Sequence, residues 1–286
     1  MLRRAATAER WLAGLRRVGP QQTAPLAPVV FLHGAGQDGE IWADVVPLVP
    51  RPVIVHDFPG HGGRFGAALD RVEDLAEDAI AHLPGGRRSV LVGHSLGAAV
   101  ALEAALRRPE SVSDVVAVCC ELDHQPDRRA MAALEDGDFE RFTELIQLGI
   151  VGLRPGMSDP NQPTGPETHT DRDHLPGPEA RGRKAAEESA RRLERLVRRT
   201  GLETTAADYR AASEHDLTGR LEGLSLPVTV LAGGSDVLVP PRRVAALAAE
   251  LGVEAQVVPD ASHQVPWEAP EAVAHAVERM RRSDAE

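Results

Sequence analysis

Short apolar runs rich in β-branched residues recur along this 286-residue sequence, and they restrict its fold more than any other feature. They lack an alternation of apolar and polar positions, as expected for strands buried on both faces of a mostly parallel sheet. Helix-patterned segments separate them, and strand–helix alternation of this kind predicts a doubly wound α/β sheet with helices on both faces. The predicted strands cover residues 28–32, 52–56, 89–92, 115–119, 227–231 and 253–258, and the predicted helices cover 71–82, 96–108, 244–251 and 271–282.

The alternation is interrupted between residues 122 and 222, where the chain is polar and poor in strand patterns. Two helical patterns, at 139–150 and 179–199, flank a loop at 153–178 that is too dense in proline and glycine for a helix interior or a central strand. We interpret 122–222 as a helical cap inserted between two strands, so that 28–121 and 223–286 form the core. The alternative is a disordered linker, but residues 142–150 offer apolar surface to bury.

Charge and cysteine content disfavour several classes of protein. Asp and Glu outnumber Lys and Arg by 43 to 32, a net charge of −11, so we expect neither nucleic acid nor a membrane as a partner. Cys119 and Cys120 are adjacent and offer no disulfide framework or zinc site, which favours a cytoplasmic location. Residues 1–27 lack the apolar core of a secretory signal, and we expect a short surface helix there rather than an organelle transit peptide.

The strongest candidate for a catalytic residue is Ser95, in the segment GHSLG at 93–97. A predicted strand precedes this segment and a predicted helix follows it. A sharp strand-to-helix turn would expose the serine hydroxyl at the carboxyl edge of the sheet, and the glycines permit the close backbone approach. The Gly-x-Ser-x-Gly pattern is short and recurs by chance, so its meaning depends on whether partners stand where the chemistry needs them.

Partners for a nucleophilic serine do follow in the chain, in the order acid and then base. Asp236 follows the strand predicted at 227–231, and His263 follows the one predicted at 253–258. Carboxyl ends of parallel strands meet at one edge, where ligand sites form. Other carboxylates could serve as the acid instead of Asp236: Glu121, Asp123, Asp57 and Asp260.

An oxyanion needs hydrogen-bond donors, and HGAG at 33–36 places a flexible backbone after the first predicted strand. We expect the backbone N–H groups of Ala35 and Leu96 to form this oxyanion hole.

With HGAG, DFPGHG at 57–62, GHSLG, GGSD at 233–236 and the segment around His263, the sequence resembles the α/β-hydrolase superfamily along nearly its whole length. The resemblance implies an eight-stranded, mostly parallel sheet, a helical cap and a Ser95–Asp236–His263 triad, and it is closest to capped serine esterases. It also implies that Asp57 is a structural residue that helps to order the HGAG loop. Residues before 28 do not show the opening strands of the family, and Pro266 is unusual after the histidine.

Two tryptophans, Trp42 and Trp267, stand near HGAG and His263 in sequence, and they are either a substrate-pocket wall or core packing. His169 and His174 lie among aspartates, but their spacing matches no metal motif, so we expect a solvated loop there, and neither a metal nor a cofactor.

Together these features predict hydrolysis of a small-molecule carboxylic ester through an acyl-enzyme intermediate. The same triad would serve a C–C bond hydrolase, a lactonase, a thioesterase or a cofactor-free perhydrolase. A ligand-binding module with a vestigial triad is the alternative outside enzymes. The sequence does not distinguish a monomer from a homodimer.

Overall fold

Six parallel strands form the single sheet in a computed structural model that describes residues 26–151 and 180–283. Their spatial order is β2-β1-β3-β4-β5-β6, so every strand has its carboxyl end at the same edge. The strands are β1 Val29–Leu32, β2 Val53–His56, β3 Ser89–His94, β4 Val112–Val118, β5 Val228–Gly233 and β6 Ala255–Val258. All six runs that the sequence predicts as strands are therefore strands.

Nine α-helices and two short 3₁₀ turns, Gly39–Trp42 and Val46–Leu48, accompany the sheet in the described ranges. The helices are α1 Val72–Ala81, α2 Leu96–Arg107, α3 Arg128–Glu135, α4 Phe139–Ile150, α5 Ala180–Thr200, α6 Leu202–Glu214, α7 Pro241–Glu250, α8 Val265–Glu268 and α9 Pro270–Ser283. The sequence did not predict α3, α6 or α8. None of the helices in the described ranges has both the length and the apolar character needed to cross a membrane.

Both faces of the sheet are buried, because successive strand residues point to opposite sides. Phe31, Val92 and Val116 belong to one apolar cluster, which α9 and the helices α3–α5 cover. Val30, Leu91 and Val115 belong to the other, which α1, α2 and α7 cover. This two-sided burial explains why the strand sequences show no polar alternation.

In the part of the chain that the structure describes, four helices, α3–α6, lie between β4 and β5, and the chain enters and leaves this helical segment at one point. Leu217 N–H donates to the carbonyl of Leu122 at 2.9 Å, and Asp123 and Asp216 form an isolated antiparallel bridge. The helical segment therefore begins and ends at the same edge of the sheet as the carboxyl ends of the strands.

Candidate active site

Ser95 occupies a single-residue turn between β3 and α2, with φ +53° and ψ −118°. Residues other than glycine rarely adopt a positive φ, and strain of this kind concentrates at functional positions. The flanking glycines make the turn possible: a Cβ on Gly93 would lie 2.2 Å from the carbonyl oxygen of Gly97, and one on Gly97 would lie 2.4 Å from that of Leu32. The local sequence therefore requires small residues so that α2 can start directly against the sheet.

His263 and Asp236 are hydrogen-bonded to each other. Nδ1 of His263 donates to Oδ2 of Asp236 at 2.7 Å, while Oδ1 of Asp236 accepts the backbone N–H groups of Leu238 and Val239, each at 2.9 Å. Burial alone lowers the pKa of His263, but the charge of Asp236 and this hydrogen bond outweigh burial, so the pKa lies above its ordinary value. Asp236 thus fixes both the orientation of the imidazole and its protonated nitrogen.

Ser95 and His263 line the same cavity, which also contacts Ala35 and Leu96. Ser95 Oγ forms no hydrogen bond with the His263 ring in the described structure. Such bonds are often long or poorly aligned in a free enzyme and tighten around the substrate.

The other carboxylates considered from the sequence are held away from His263. Glu121 contacts His124 at 2.5 Å and Arg243 at 2.7 Å, and Asp123 contacts the same arginine at 3.1 Å. Asp57 accepts the backbone N–H of Gly39 at 2.6 Å. Asp260 is an exposed turn residue with φ +61°. Among these candidates, only Asp236 bonds to the histidine.

The HGAG loop is held by hydrogen bonds on both sides of Ala35. Gly34 N–H donates to Oε1 of Gln37 at 3.0 Å, and Gly36 N–H donates to Oδ2 of Asp208 at 2.7 Å. Within the described structure, the backbone N–H of Ala35 and that of Leu96 form no hydrogen bond. Two free donors, one at a fixed loop and one at a helix N-terminus, therefore border the cavity beside Ser95.

The cavity has an empty volume of about 1310 Å³, including space open to solvent. Much of its wall is apolar and comes from the helical segment between β4 and β5, through Leu145, Ile146 and Leu193. Tyr209 and His215 add polar side chains from the end of that segment. Such a mainly apolar cavity with a few polar groups is typical of small-molecule sites.

Trp42 and Trp267 do not line this cavity. Trp42 is fully buried, with its ring centroid 4.9 Å from that of Phe31. Trp267 lies under the guanidinium of Arg192, 4.4 Å from the ring centroid. Both belong to the core cluster that includes Phe31, so the expectation of a tryptophan wall is corrected: being near the motifs in sequence did not place these rings on the cavity side.

A possible metal-ligand cluster, His94, Cys119 and His263, has its ligand atoms within 4.8 Å of one another. Two of its nitrogens are engaged, since Nε2 of His94 donates to the carbonyl of His263 at 2.8 Å and Nδ1 of His263 bonds to Asp236. Burial also raises the pKa of the Cys119 thiol well above its ordinary value, which disfavours the thiolate that a metal needs. This donor set does not fit a metal ion. His169 and His174 lie outside the described residues.

Sequence reasoning missed several residues that organise the site. Gln37 and Gln264 join the HGAG loop to the histidine loop through a 3.1 Å side-chain hydrogen bond, and Asp208 anchors Gly36 from α6. The glutamines directly follow predicted motifs, which is a usable signal. Asp208 has no such signal, because its partner is 172 residues away in the chain.

Comparison with known proteins agrees with this architecture. Residues 29–276 match the model of the alpha/beta hydrolase family. The pimeloyl-[acyl-carrier protein] methyl ester esterase of Pectobacterium carotovorum is 27% identical over 242 residues, covering 82% of this chain and 86% of that protein. The enzyme of the same name from Vibrio vulnificus is 25% identical over 217 residues, covering 74% and 77%.

Solved structures share the fold at lower sequence identity. The enol-lactonase of Burkholderia xenovorans superposes with a TM-score of 0.71 at 16% identity, over 91% of this chain and 93% of that one. A thermophilic esterase of Thermogutta terrifontis gives 0.66 at 21% identity, over 91% of each chain. With a family match across most of its length, the chain belongs to the alpha/beta hydrolase family.

Proposed function

We propose that this protein is a serine hydrolase that cleaves a carboxylic ester through an acyl-enzyme intermediate. One observation carries the proposal: His263, hydrogen-bonded to Asp236, and the strained Ser95 border one cavity at the carboxyl edge of the sheet. The curated relatives named above are methyl ester esterases, which supports an ester as the bond that is cleaved.

In the first half of the reaction, Nε2 of His263 takes the proton from Ser95 Oγ as the oxygen attacks the ester carbonyl. The tetrahedral intermediate then collapses, the C–O bond to the alcohol breaks, and His263 returns the proton to the leaving oxygen. Water enters, His263 removes one of its protons, and hydroxide attack on the acyl carbon releases the carboxylic acid and restores Ser95. Asp236 holds the imidazole in the required tautomer and stabilises the imidazolium.

The backbone N–H groups of Ala35 and Leu96 stabilise the negative oxygen in both tetrahedral intermediates. Their free donors border the cavity beside Ser95, and donors fixed before the reaction need no reorganisation as charge develops.

Residues 122–222 act in this proposal as a cap that covers the site and selects the substrate, with 28–121 and 223–286 as the core. The support is that helices α4, α5 and α6 contribute Leu145, Leu193 and Tyr209 to the cavity wall. The mostly apolar wall favours an ester with an apolar acyl or alcohol group. The family's eight-strand sheet stays a prediction: six strands lie in the described residues, and the N-terminal segment 1–27 falls almost entirely outside them.

The test is hydrolysis of p-nitrophenyl esters of increasing acyl length by the purified protein and by Ser95→Ala. We expect kcat/KM to fall by at least about 10³-fold, because only binding and the oxyanion hole would remain. Ser213→Ala, on α6 and away from the cavity, is the matched control and should keep wild-type activity. A phosphonate probe should label the wild type and the control but not Ser95→Ala. Unchanged hydrolysis by Ser95→Ala would overturn the proposal.

A further inference from the structure

Asp208 is a fully buried carboxylate on α6, outside the triad, and it contacts the loop that carries the Ala35 donor. Its Oδ2 accepts two hydrogen bonds, from Gly36 N–H at 2.7 Å and from Nε2 of His61 at 2.9 Å. Its Oδ1 is buried and has no hydrogen-bond partner. Burying a carboxylate with one oxygen unsatisfied is costly, so this arrangement calls for an explanation beyond packing.

His61 provides the positive charge that Asp208 needs. Its Nδ1 lies 3.1 Å from the carbonyl oxygen of Pro59 and its Nε2 faces the carboxylate, so both ring nitrogens face acceptors. Burial lowers the pKa of His61, but the hydrogen bond and charge of Asp208 outweigh burial and raise the pKa above its ordinary value. The two residues therefore form a buried ion pair between the loop after β2 and the helical segment between β4 and β5.

Gly36 is the point where the helical segment contacts the HGAG loop. Its φ is +65°, and a Cβ there would lie 3.1 Å from side-chain atoms of both Val197 on α5 and Thr205 on α6. The Ala35–Gly36 peptide is thus clamped between two helices and tied to Asp208. Gln37 binds the N–H of Gly34 in the preceding peptide, and Asp208 binds the N–H of Gly36 in the following one. The peptide that carries the Ala35 N–H is therefore held on both sides.

We propose that Asp208 is a positioning residue for the oxyanion hole: by binding the N–H of Gly36 it holds the Ala35 N–H toward the cavity. The inference rests on the proposed function, because it assigns a role to the Ala35 donor in ester hydrolysis. It also means that the donor is aligned only when α6 is docked on the HGAG loop, so the substrate-covering helices and the oxyanion hole are coupled through one carboxylate.

The test compares three substitutions of Asp208 in the full-length protein. Asp208→Ala and Asp208→Leu remove both oxygens; the alanine leaves the space empty, and the leucine fills it with an apolar side chain of the same branching. In Asp208→Asn, the amide oxygen takes the place of Oδ2 and accepts the same two hydrogen bonds. The amide nitrogen takes the place of Oδ1, which has no hydrogen-bond partner. Glu194→Ala is the matched control, since Glu194 bonds to Gln147 and Arg198 within the helical segment and does not touch the loop.

We expect kcat to fall by about 10- to 100-fold in Asp208→Ala and Asp208→Leu, less than the roughly 10²–10³-fold cost of deleting an oxyanion donor. KM should change by less than about threefold, because the oxyanion exists only in the transition state. Asp208→Asn should recover kcat to within about threefold of wild type, and Glu194→Ala should keep wild-type kcat. Thermal melting identifies the temperature range in which all variants are folded, and all rates are measured within it.

Three outcomes separate this inference from the proposed function. Wild-type kcat in Asp208→Ala and Asp208→Leu, with Ser95→Ala inactive, overturns the inference and leaves the proposed function standing. A raised KM with unchanged kcat also overturns it, because the residue would then shape the binding cavity instead of the oxyanion hole. An active Ser95→Ala removes the proposed function itself.

Discussion

Asp236→Asn should separate the catalytic role of this carboxylate from its structural role. The backbone N–H groups of Leu238 and Val239 both point at Oδ1, so the asparagine must keep its oxygen there. Its NH₂ group then takes the position of Oδ2, which lies 2.7 Å from Nδ1 of His263. Nδ1 must become an acceptor, which moves the ring proton to Nε2. An imidazole protonated at Nε2 cannot take the proton of Ser95.

The expected losses of activity and stability follow from the three hydrogen bonds that Asp236 accepts. In a serine protease, the same change of tautomer lowers kcat about 10⁴-fold, and we expect a similar loss here. Stability should fall by only about 1–2 kcal/mol, since one charge-assisted bond becomes a neutral one. Asp236→Ala leaves two buried N–H groups without a partner, at about 1–3 kcal/mol each, so it should be clearly less stable than the asparagine variant.

The assay pairs ester hydrolysis near pH 8 with thermal unfolding of each variant. Glu121→Gln replaces the carboxylate that pairs with Arg243, and it should keep at least about a tenth of kcat because it does not touch His263. Asp260→Asn, an exposed turn position, should match wild type. Asp236 is not the residue that orients His263 if Asp236→Asn retains more than about 1% of kcat, or if Glu121→Gln loses as much activity as Asp236→Asn.

Three further predictions concern the pH profile of hydrolysis, the turn at Ser95 and the two cysteine thiols. Catalysis needs neutral His263, and the pKa of His263 is raised, so kcat/KM should increase with pH through a midpoint above 6.5. A pH–rate profile with a midpoint below that value would contradict the structure. Gly93→Ala should be destabilised by more than about 3 kcal/mol in urea unfolding because its Cβ would meet backbone 2.2 Å away, whereas Gly85→Ala, with open space around it, should unfold like wild type. Burial raises the pKa of Cys120 to about 12 and that of Cys119 well above its ordinary value, so a thiol reagent at pH 8 should modify both only after denaturation; rapid labelling of native protein would be inconsistent with this burial.

The triad candidates could be predicted because each is marked by local sequence. Ser95, Asp236 and His263 each follow an apolar run, and parallel strands bring such ends to one edge without further information. The sequence does not distinguish Asp236 from Glu121 as the acid, since both follow a strand and only side-chain geometry decides which reaches the base.

Features that depend on distant contacts could not be predicted. Trp42 follows the HGAG loop in sequence, yet its side chain packs into the core with Phe31, because sequence position does not fix which side of the loop a ring takes. Helix α6 carries two threonines in LETTAADYRAASE and weak apolar periodicity, so tertiary packing forms it rather than intrinsic propensity. Asp208 lies on this same helix, so its role could not be predicted without predicting the helix.

Hydrogen bonding and position decide which of His33, His61, His94 and His263 can act as base. His33 uses Nδ1 on a neighbouring carbonyl and accepts a backbone N–H at Nε2, and burial lowers its pKa well below the ordinary value. His94 is bonded through Nε2 and lies against Gln37 at Nδ1, with its pKa lowered by burial to about 3. His61 has both nitrogens on acceptors. Of these four, only His263 lines the cavity; its Nδ1 bonds to Asp236, and its Nε2 has no hydrogen-bond partner among the described residues. The His94 ring, whose centroid lies 5.0 Å from that of His263, is neutral and adds no positive charge beside the base, so the charge of Asp236 keeps the pKa of His263 raised despite its burial.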